Sequence, residues 1–209
     1  MTFGEMQSDV RRKLNEAPAT FWTDQDIKDA LNEALEEVAD ATEYYERQAT
    51  IPMLHGRTYY DLTSLLPDTF LSPRRGWNTT TQRWLRPTDA RNQDEHTYVQ
   101  WELTYGPPNS YLLRGNWWMG VFPRSSDDSS SKIRLYYTAI PPRMSASTDE
   151  PAFPQEFHPG IVNLAISDLL SQDRETAKAI SYWTSGQGYV EGLRAHVEGR
   201  QHLAGVNVL

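Results

Sequence analysis

Residues 23–45 read TDQDIKDALNEALEEVADATEYY and show the spacing of one amphipathic helix, because apolar residues recur every three or four positions. Thr23 is a good N-cap, and Asp24 and Asp26 suit the positive N-terminal end of a helix. We therefore predict a helix from Thr23 to Tyr45. Its predicted apolar stripe consists of Ile27, Ala30, Leu31, Ala34, Leu35, Val38, Ala41 and Tyr45.

The other face of this predicted helix is almost entirely acidic. From Thr23 to Arg47 the chain has nine acidic residues against two basic ones, Lys28 and Arg47. An ordinary solvated surface accounts for exposed carboxylates, but it does not account for a single sign of charge. The residues selected as a candidate acidic face are Glu33, Glu36, Glu37 and Asp40.

Helical spacing also occurs toward both ends of the chain. Residues 3–14 predict a short helix, which Pro18 ends. Residues 161–170 predict a largely buried helix, and residues 179–197 have the heptad spacing of a helix seam. Gly186 in this seam either weakens the helix or allows a neighbouring helix to approach closely. The predicted seam consists of Ala179, Trp183, Gly186, Val190, Leu193 and Val197.

Between the helices, from residue 48 to about residue 138, the pattern changes to short strands and turns. Residues 48–62 predict a hairpin around His55-Gly56, and Gly115-Asn116 indicates a second hairpin. Residues 132–138 alternate in polarity, which predicts a half-buried strand. The apolar side chains of that strand are Ile133, Leu135 and Tyr137.

These patterns predict an α+β fold, in which a helical bundle made of an N-terminal helix pair and long C-terminal helices carries an inserted small antiparallel β domain. We expect the helical domain to comprise residues 1–47 and 141–200, and the β domain to comprise residues 48–140. Residues 201–209 are expected to be an extended tail. Its apolar residues, a candidate docking segment, are Leu203, Val206, Val208 and Leu209.

Composition restricts the classes of function. The net charge is −8 and the pI is about 5.1, whereas proteins that bind nucleic acid through phosphates are usually basic. The chain has no cysteine, which excludes disulfides and thiol catalysis. No run of apolar residues is long enough to predict a membrane span, and the N-terminus lacks the apolar core of a secretion signal.

No pattern in the sequence predicts catalysis or a cofactor. The chain has five histidines, and none of them is spaced as a pair of metal ligands. Ser129 and Lys132 form an SxxK pattern, but they lie in a Ser/Asp loop rather than at the start of a helix. Phosphate-binding and dinucleotide-binding glycine motifs are absent. We therefore expect no metal and no cofactor.

Basic and aromatic residues are concentrated in the β region. Arg74, Arg75, Arg83 and Arg86 form a local cluster, which is either a scattered surface or a docking patch for an acidic partner. Adjacent strand residues point to opposite faces, so we expect one side chain of the pair Trp117-Trp118 to be buried and the other exposed. An aromatic β surface also suits a carbohydrate- or receptor-binding module, which we keep as the alternative function.

The order of several segments resembles the head-to-tail adaptor, or connector, proteins of tailed bacteriophages. The resemblance extends over most of the chain, from about Phe21 to Gly199. It is carried by FWTDQDIKDALNEALEE (21–37), YYDLTSLLPDTFLSPRRG (59–76), YGPPNSYLL (105–113), IRLYYTAIPPRM (133–144) and DEPAFPQEFHPGIVNLAISDLL (149–170).

The resemblance implies a structural virion protein that forms a ring, typically of twelve copies, below the portal protein. Such a ring extends the channel for genomic double-stranded DNA without binding it specifically, and it provides the platform on which tail or neck proteins dock. It implies no enzyme activity and no membrane association. The expected location is the virion neck, with the host cytoplasm during assembly.

Within such a ring the acidic face has two uses. If Glu33, Glu36, Glu37 and Asp40 line the channel, their charge repels the DNA phosphates and lets the duplex slide. If they lie between subunits, they face arginines of a neighbour. The tail from Leu203 to Leu209 is expected to order on a neighbouring subunit or on the portal.

Overall fold

The computed structural model describes residues 1–16, 21–67, 69–96, 101–115, 117–126 and 132–206, without the side chains of Asn92, His96 and residues 200–206. The chain divides into two compact units. The helical unit contains Met1–Tyr45 and the chain from Ile140 onward, and the β unit contains Glu46–Ala139. The predicted α+β fold is confirmed.

The elements of the described residues alternate as the sequence pattern indicated, with helices at both ends and strands between them. The helices are α1 (Phe3–Leu14), α2 (Asp24–Thr42), α3 (Leu62–Leu65), α4 (Ala90–His96), α5 (His158–Gln172) and α6 (Thr176–Val206). The strands are β1 (Glu46–Pro52), β2 (Tyr59–Asp61), β3 (Phe70–Asn78), β4 (Arg83–Trp84), β5 (Arg86–Pro87), β6 (Ser110–Arg114), β7 (Trp118–Phe122) and β8 (Lys132–Ala139).

Helix α2 begins where its capping residues predict. The Thr23 hydroxyl accepts a hydrogen bond from the Asp26 backbone N–H, and the Asp26 carboxylate accepts one from the Thr23 N–H, which forms a capping box. The helix ends at Thr42, because Glu43 adopts a left-handed conformation with φ 50°. Tyr45 therefore lies beyond the helix. The buried stripe contains Ile27, Ala30, Leu31, Ala34, Leu35 and Val38.

The core of the helical unit lies where α2, α5 and α6 meet. Helices α5 and α6 approach so closely at Gly186 that a methyl group there would lie 2.7 Å from Leu164 Cγ. A methyl group on Gly160 of α5 would likewise lie 2.5 Å from Tyr189 Cβ. Of the two interpretations of Gly186, the structure therefore supports the close approach of a neighbouring helix.

The predicted seam of α6 is confirmed at four of its six positions, because Val197 is only partly buried and Trp183 is exposed. Ala179, Val190 and Leu193 are buried, but Trp183 is 51% exposed. Because Gly186 fixes which face of α6 meets α5, Tyr182 packs partly against the core in place of Trp183.

The β unit contains two four-stranded sheets. The first sheet has the order β1-β8-β3-β4, and the second has the order β2-β7-β6-β5. Pairing is antiparallel except between β5 and β6, which are parallel. The β6–β7 hairpin is confirmed, and so is the alternation of β8, whose Ile133, Leu135 and Tyr137 are buried.

The predicted hairpin over residues 48–62 is wrong. A turn does lie at His55-Gly56, where Gly56 has φ 66°, but the flanking strands do not pair with each other. Strand β1 pairs with β8, and β2 pairs with β7. The turn therefore transfers the chain from the first sheet to the second, because long-range pairing overrides the local hairpin preference.

The prediction of an extended tail is wrong for residues 201–206, which continue α6 to Val206. Once a helix exists, adding a residue costs little, so Gly199 weakens this helix without ending it. Leu203 and Val206 therefore lie on the helix backbone, while Val208 and Leu209 lie outside the described residues. None of the helices in the described ranges combines the length and the apolar character that crossing a membrane requires.

Candidate functional site

The acidic face of α2 is the first candidate surface. Glu33, Glu37 and Asp40 are exposed, and Glu36 is partly buried. Asp29, Glu33 and Asp40 follow one another at intervals of four and seven residues, so their side chains form a stripe along one side of the helix. We call Asp29, Glu33 and Asp40 the acidic stripe.

One edge of this face is occupied by the helical unit itself. Arg143 Nε donates a hydrogen bond to Glu36 Oε1 at 2.8 Å, and Gln187 Nε2 donates one to Glu37 Oε1 at 3.4 Å. The hydrogen bond and charge of Glu36, followed by the charges of Asp29 and Glu33, raise the pKa of the Arg143 guanidinium. This pairing is solvent-exposed and contributes little to stability.

Arg143 is positioned by a buried amide. Asn32 Nδ2 donates to the carbonyl oxygen of Met144 at 3.1 Å, and Asn32 Oδ1 accepts from the Met144 N–H at 2.8 Å. These two bonds fix the segment after β8 against α2. The carboxylates of Glu33 and Asp40 form no ion pair with any residue in the described ranges, so they remain available to a partner.

The structure distributes the four clustered arginines over both sheets of the β unit. Arg74 and Arg75 lie in β3, Arg83 lies in β4, and Arg86 lies in β5 of the second sheet. Their role as one docking patch therefore remains a prediction. Arg75 is the member around which the structure assembles a further group of side chains.

Arg75 lies against aromatic rings on the outer face of the first sheet. Its guanidinium carbon is 4.8 Å from the centre of the Trp84 ring and 4.9 Å from that of Tyr136. Trp77 contacts Trp84 edge to face, with 5.0 Å between the ring centres. Trp84 is nevertheless 40% exposed. A cation held over aromatic rings in this way is stabilised and keeps its N–H donors for a ligand.

The register of the first sheet extends this group into a continuous surface. Arg75 is opposite Tyr136, and Trp77 is opposite Arg134. On the other side of β8, Tyr136 and Arg134 are opposite Gln48 and Thr50. The aromatic–arginine face, as we name it, consists of Gln48, Thr50, Arg75, Trp77, Trp84, Arg134 and Tyr136.

The charge of this face is predominantly positive. Lys132, at the start of β8, adds a third cation to Arg75 and Arg134, and Glu46 lies at the opposite end of β1. Neither Arg75 nor Arg134 forms an ion pair with a residue in the part of the chain that the structure describes. The face therefore presents arginines without a carboxylate partner.

Sequence reasoning identified Arg75 but missed the side chains around it. The alternation of KIRLYYT, which identified the buried positions of β8, also places Arg134 and Tyr136 on the opposite side. That pattern was the available sign of an exposed basic and aromatic surface. The contribution of Trp84 depends on the pairing of β4 with β3, which the sequence pattern does not reveal.

The prediction for the tryptophan pair is wrong. Both side chains are exposed, Trp117 by 50% and Trp118 by 44%, because Trp117 lies in the turn before β7 and does not follow the strand alternation. Nearby, the Tyr59 hydroxyl donates a hydrogen bond to the Glu102 carboxylate, and the Arg114 guanidinium lies over the Tyr59 ring. Burial, the hydrogen bond and the charge of Glu102 raise the pKa of Tyr59 to about 12.

The described residues contain no group of three or more histidine or carboxylate side chains that could hold a metal ion. What the surfaces can do chemically is to form ion pairs and ring contacts with another macromolecule. The acidic stripe and the aromatic–arginine face carry opposite charge and lie in different compact units of the same chain.

Comparison with known proteins places the chain in one family. A family model described as "SU10 adaptor protein" matches residues 1–205, which is nearly the whole chain. No curated protein matches the chain. The match includes both compact units and all the surface residues described above.

Proposed function

The chain belongs to the SU10 adaptor protein family, as the resemblance to phage adaptors indicated, and from this premise we propose that it is a ring subunit between the portal and the tail. The family identifies a structural phage adaptor protein. The proposal adds that the copies form a ring, with twelve copies as the number that the resemblance implies. The ring extends the DNA channel, binds the portal protein on one side and receives tail or neck proteins on the other.

The observation that carries the proposal is the extent of the family match, which includes the helical unit and the inserted β unit. The surfaces support it, because a ring subunit needs two different contact surfaces that complement each other. The acidic stripe and the aromatic–arginine face are two such surfaces.

The first experiment is to measure the copy number of this chain in purified virions relative to the portal protein, by quantitative mass spectrometry. The proposal predicts a ratio near one to one. Absence of the chain from particles, or a few copies per particle, would contradict it. The carbohydrate- or receptor-binding alternative, which the exposed Trp117 and Trp118 favour, predicts sugar-dependent tryptophan fluorescence.

Two places in such a ring suit the acidic residues Glu33, Glu36, Glu37 and Asp40: the channel wall and the contact between subunits. On the channel wall their charge would keep DNA from adhering, because each basic contact with a phosphate would strengthen binding. Replacing Glu33, Glu37 and Asp40 with lysine should then slow DNA release from particles.

The matched control for this experiment replaces Glu191 and Glu198, which are exposed on α6, with lysine and is compared with a variant that carries lysine at Glu33 and Asp40 only. Normal release from both sets of particles would contradict the channel position. Slow release from both sets would show that the effect comes from total charge rather than from α2.

We further propose that the C-terminal residues Leu203, Val206, Val208 and Leu209 dock on the portal. Truncation after Gly199 removes them while leaving the buried core positions of α6 in place. The shortened chain should fold but fail to attach to portal-containing heads. Attachment at the normal level would refute this role.

A further inference from the structure

The acidic stripe and the aromatic–arginine face have three properties that make them complementary. Glu33 and Asp40 on one surface and Arg75 and Arg134 on the other are exposed, none of the four has an ion-pair partner in the described residues, and the two surfaces carry opposite charge. In a ring every copy supplies one surface to each neighbour. The two surfaces lie in different compact units of the chain.

We propose that the acidic stripe of one copy docks on the aromatic–arginine face of the next copy, head to tail. This rests on the proposed ring, and it places the stripe between subunits rather than on the channel wall. Glu33 and Asp40 are the carboxylates that meet Arg75 and Arg134. Asp29, which lies near Arg143 of its own copy, completes the row.

The dimensions of the two surfaces agree. From Asp29 to Asp40 a helix rises about 16 Å, at roughly 1.5 Å per residue. The four strands of the first sheet span about 14 Å, at roughly 4.8 Å between neighbours. A helix that crosses the strands can therefore present its whole stripe to the sheet. Arg75 and Arg134 are diagonal neighbours on adjacent strands, within about 8 Å of each other.

The chemistry of the face favours carboxylates over a sugar. A sugar requires a flat, free aromatic surface on which to stack. Here Arg75 covers the Trp84 and Tyr136 rings, and Trp77 contacts Trp84 edge to face. The group that remains accessible to a ligand is the planar guanidinium of Arg75, whose paired N–H donors match a carboxylate. The carboxylates of α2 are present in the same number of copies as the arginines.

The absence of cysteine from the chain makes the proposal directly testable. Thr50 is an exposed residue of the aromatic–arginine face, and Glu37 is exposed on α2 one turn after Glu33. A chain carrying Thr50→Cys and Glu37→Cys has only these two thiols, and it keeps the carboxylates of the stripe. We would treat purified virions, and the concentrated purified chain, with a short bis-maleimide cross-linker and separate the products under denaturing conditions.

A head-to-tail contact predicts a ladder of covalent species from dimer up to the complete ring, because each copy is joined to two neighbours. Each single-cysteine chain should remain monomeric, and mixing the two should give dimers only. The control pair, Thr50→Cys with Glu191→Cys, places the second thiol on α6 and should give no ladder. Dimers from either single variant would indicate a symmetric contact and overturn the proposal.

The outcomes separate this inference from the proposed function. If the chain is present in virions at the portal's copy number but gives no ladder, the ring stands and this interface is wrong. If the chain is absent from virions, the proposed function fails, and the purified chain then decides: a ladder supports the contact, and monomers alone overturn it.

A charge exchange provides a second, independent test on the same double-cysteine principle, with Gln48→Cys and Glu37→Cys as the reporting thiols. Arg75→Glu with Arg134→Glu should lower the ladder yield about tenfold or more, and so should Glu33→Arg with Asp40→Arg. Combining all four exchanges in one chain should restore the ladder. Restoration excludes misfolding as the cause of the loss, and a combined chain no better than either pair would refute the pairing.

Discussion

Replacing Gly186 with alanine tests the close packing of α5 against α6, and replacing Gly188 provides a matched control in the same helix. The added methyl group at position 186 would lie 2.7 Å from Leu164 Cγ and Cδ2, well inside normal contact distance. At position 188 no atom lies within 4 Å of the added group. Both substitutions give the helix the same gain in intrinsic propensity.

The difference between the two variants therefore isolates the packing cost. Alanine in place of glycine stabilises an exposed helix interior by roughly 1 kcal/mol, so Gly188→Ala should raise stability by about that amount. Overpacking a filled core costs roughly 1–3 kcal/mol. In Gly186→Ala this cost is added to the same gain in helix propensity. The two variants should differ by about 1–3 kcal/mol, or roughly 2–12 °C in Tm for a protein of this size.

The assay is thermal and urea unfolding of the full chain, followed by far-ultraviolet circular dichroism, which reports mainly on the helical unit. Leu164→Ala offers a further check, since it removes the clashing atoms and costs roughly 2–5 kcal/mol alone. In that background Gly186→Ala should become less harmful or stabilising. If Gly186→Ala is as stable as Gly188→Ala in the otherwise unchanged chain, the close approach of the two helices is refuted.

Three further predictions concern single side chains. Asn32→Leu should lower the free energy of unfolding by roughly 2–5 kcal/mol in urea titrations, because it leaves both backbone groups of Met144 buried without a partner; a loss below about 1 kcal/mol would contradict this. Thr23→Ala should cost about 1 kcal/mol at neutral pH. The destabilisation by Thr23→Ala should become smaller below about pH 4. The Thr23 hydrogen bonds lower the pKa of Asp26, and the stability that comes from a lowered pKa is lost as pH falls through it. An unchanged destabilisation in acid would refute the coupling between Thr23 and the Asp26 carboxylate. Among the tyrosines that the structure describes, Tyr59 should be the last to ionise in an ultraviolet titration, with Tyr59→Phe as the comparison that identifies its signal. The stability from its raised pKa should be lost as pH rises from about 10 through about 12. Ionisation of Tyr59 near pH 10 would show that it is not held as described.

The helices were predictable because their determinants are local. The apolar spacing and capping residues of α2 lie within one segment, so its buried stripe and acidic face follow from residues 23–42 alone. The same holds for α1, where Thr2 forms a capping box with Glu5. The error at Trp183 arose because two neighbouring positions fit the α6 seam, and contact with α5 selects between them.

The strand pairing was not predictable, because it joins residues far apart in the sequence. Strand β1 pairs with β8, and the His55-Gly56 turn is correct as a turn but joins different sheets. The candidate surfaces divide in the same way. The acidic face follows from one helix, whereas the setting of Arg75 combines Trp84 and Tyr136 from two other strands.

The pairing of β1 with β8 also has a topological consequence. The chain leaves the helices at Glu46 and returns after Ala139, and Glu46 lies directly opposite Thr138 in the first sheet. Departure and return thus occur on adjacent strands, within about 5.5 Å of each other. A turn of about two residues is enough to join strands at this separation. The β unit is therefore inserted through two neighbouring strands, so a short turn in its place would join the two parts of the helical unit's chain without stretching them.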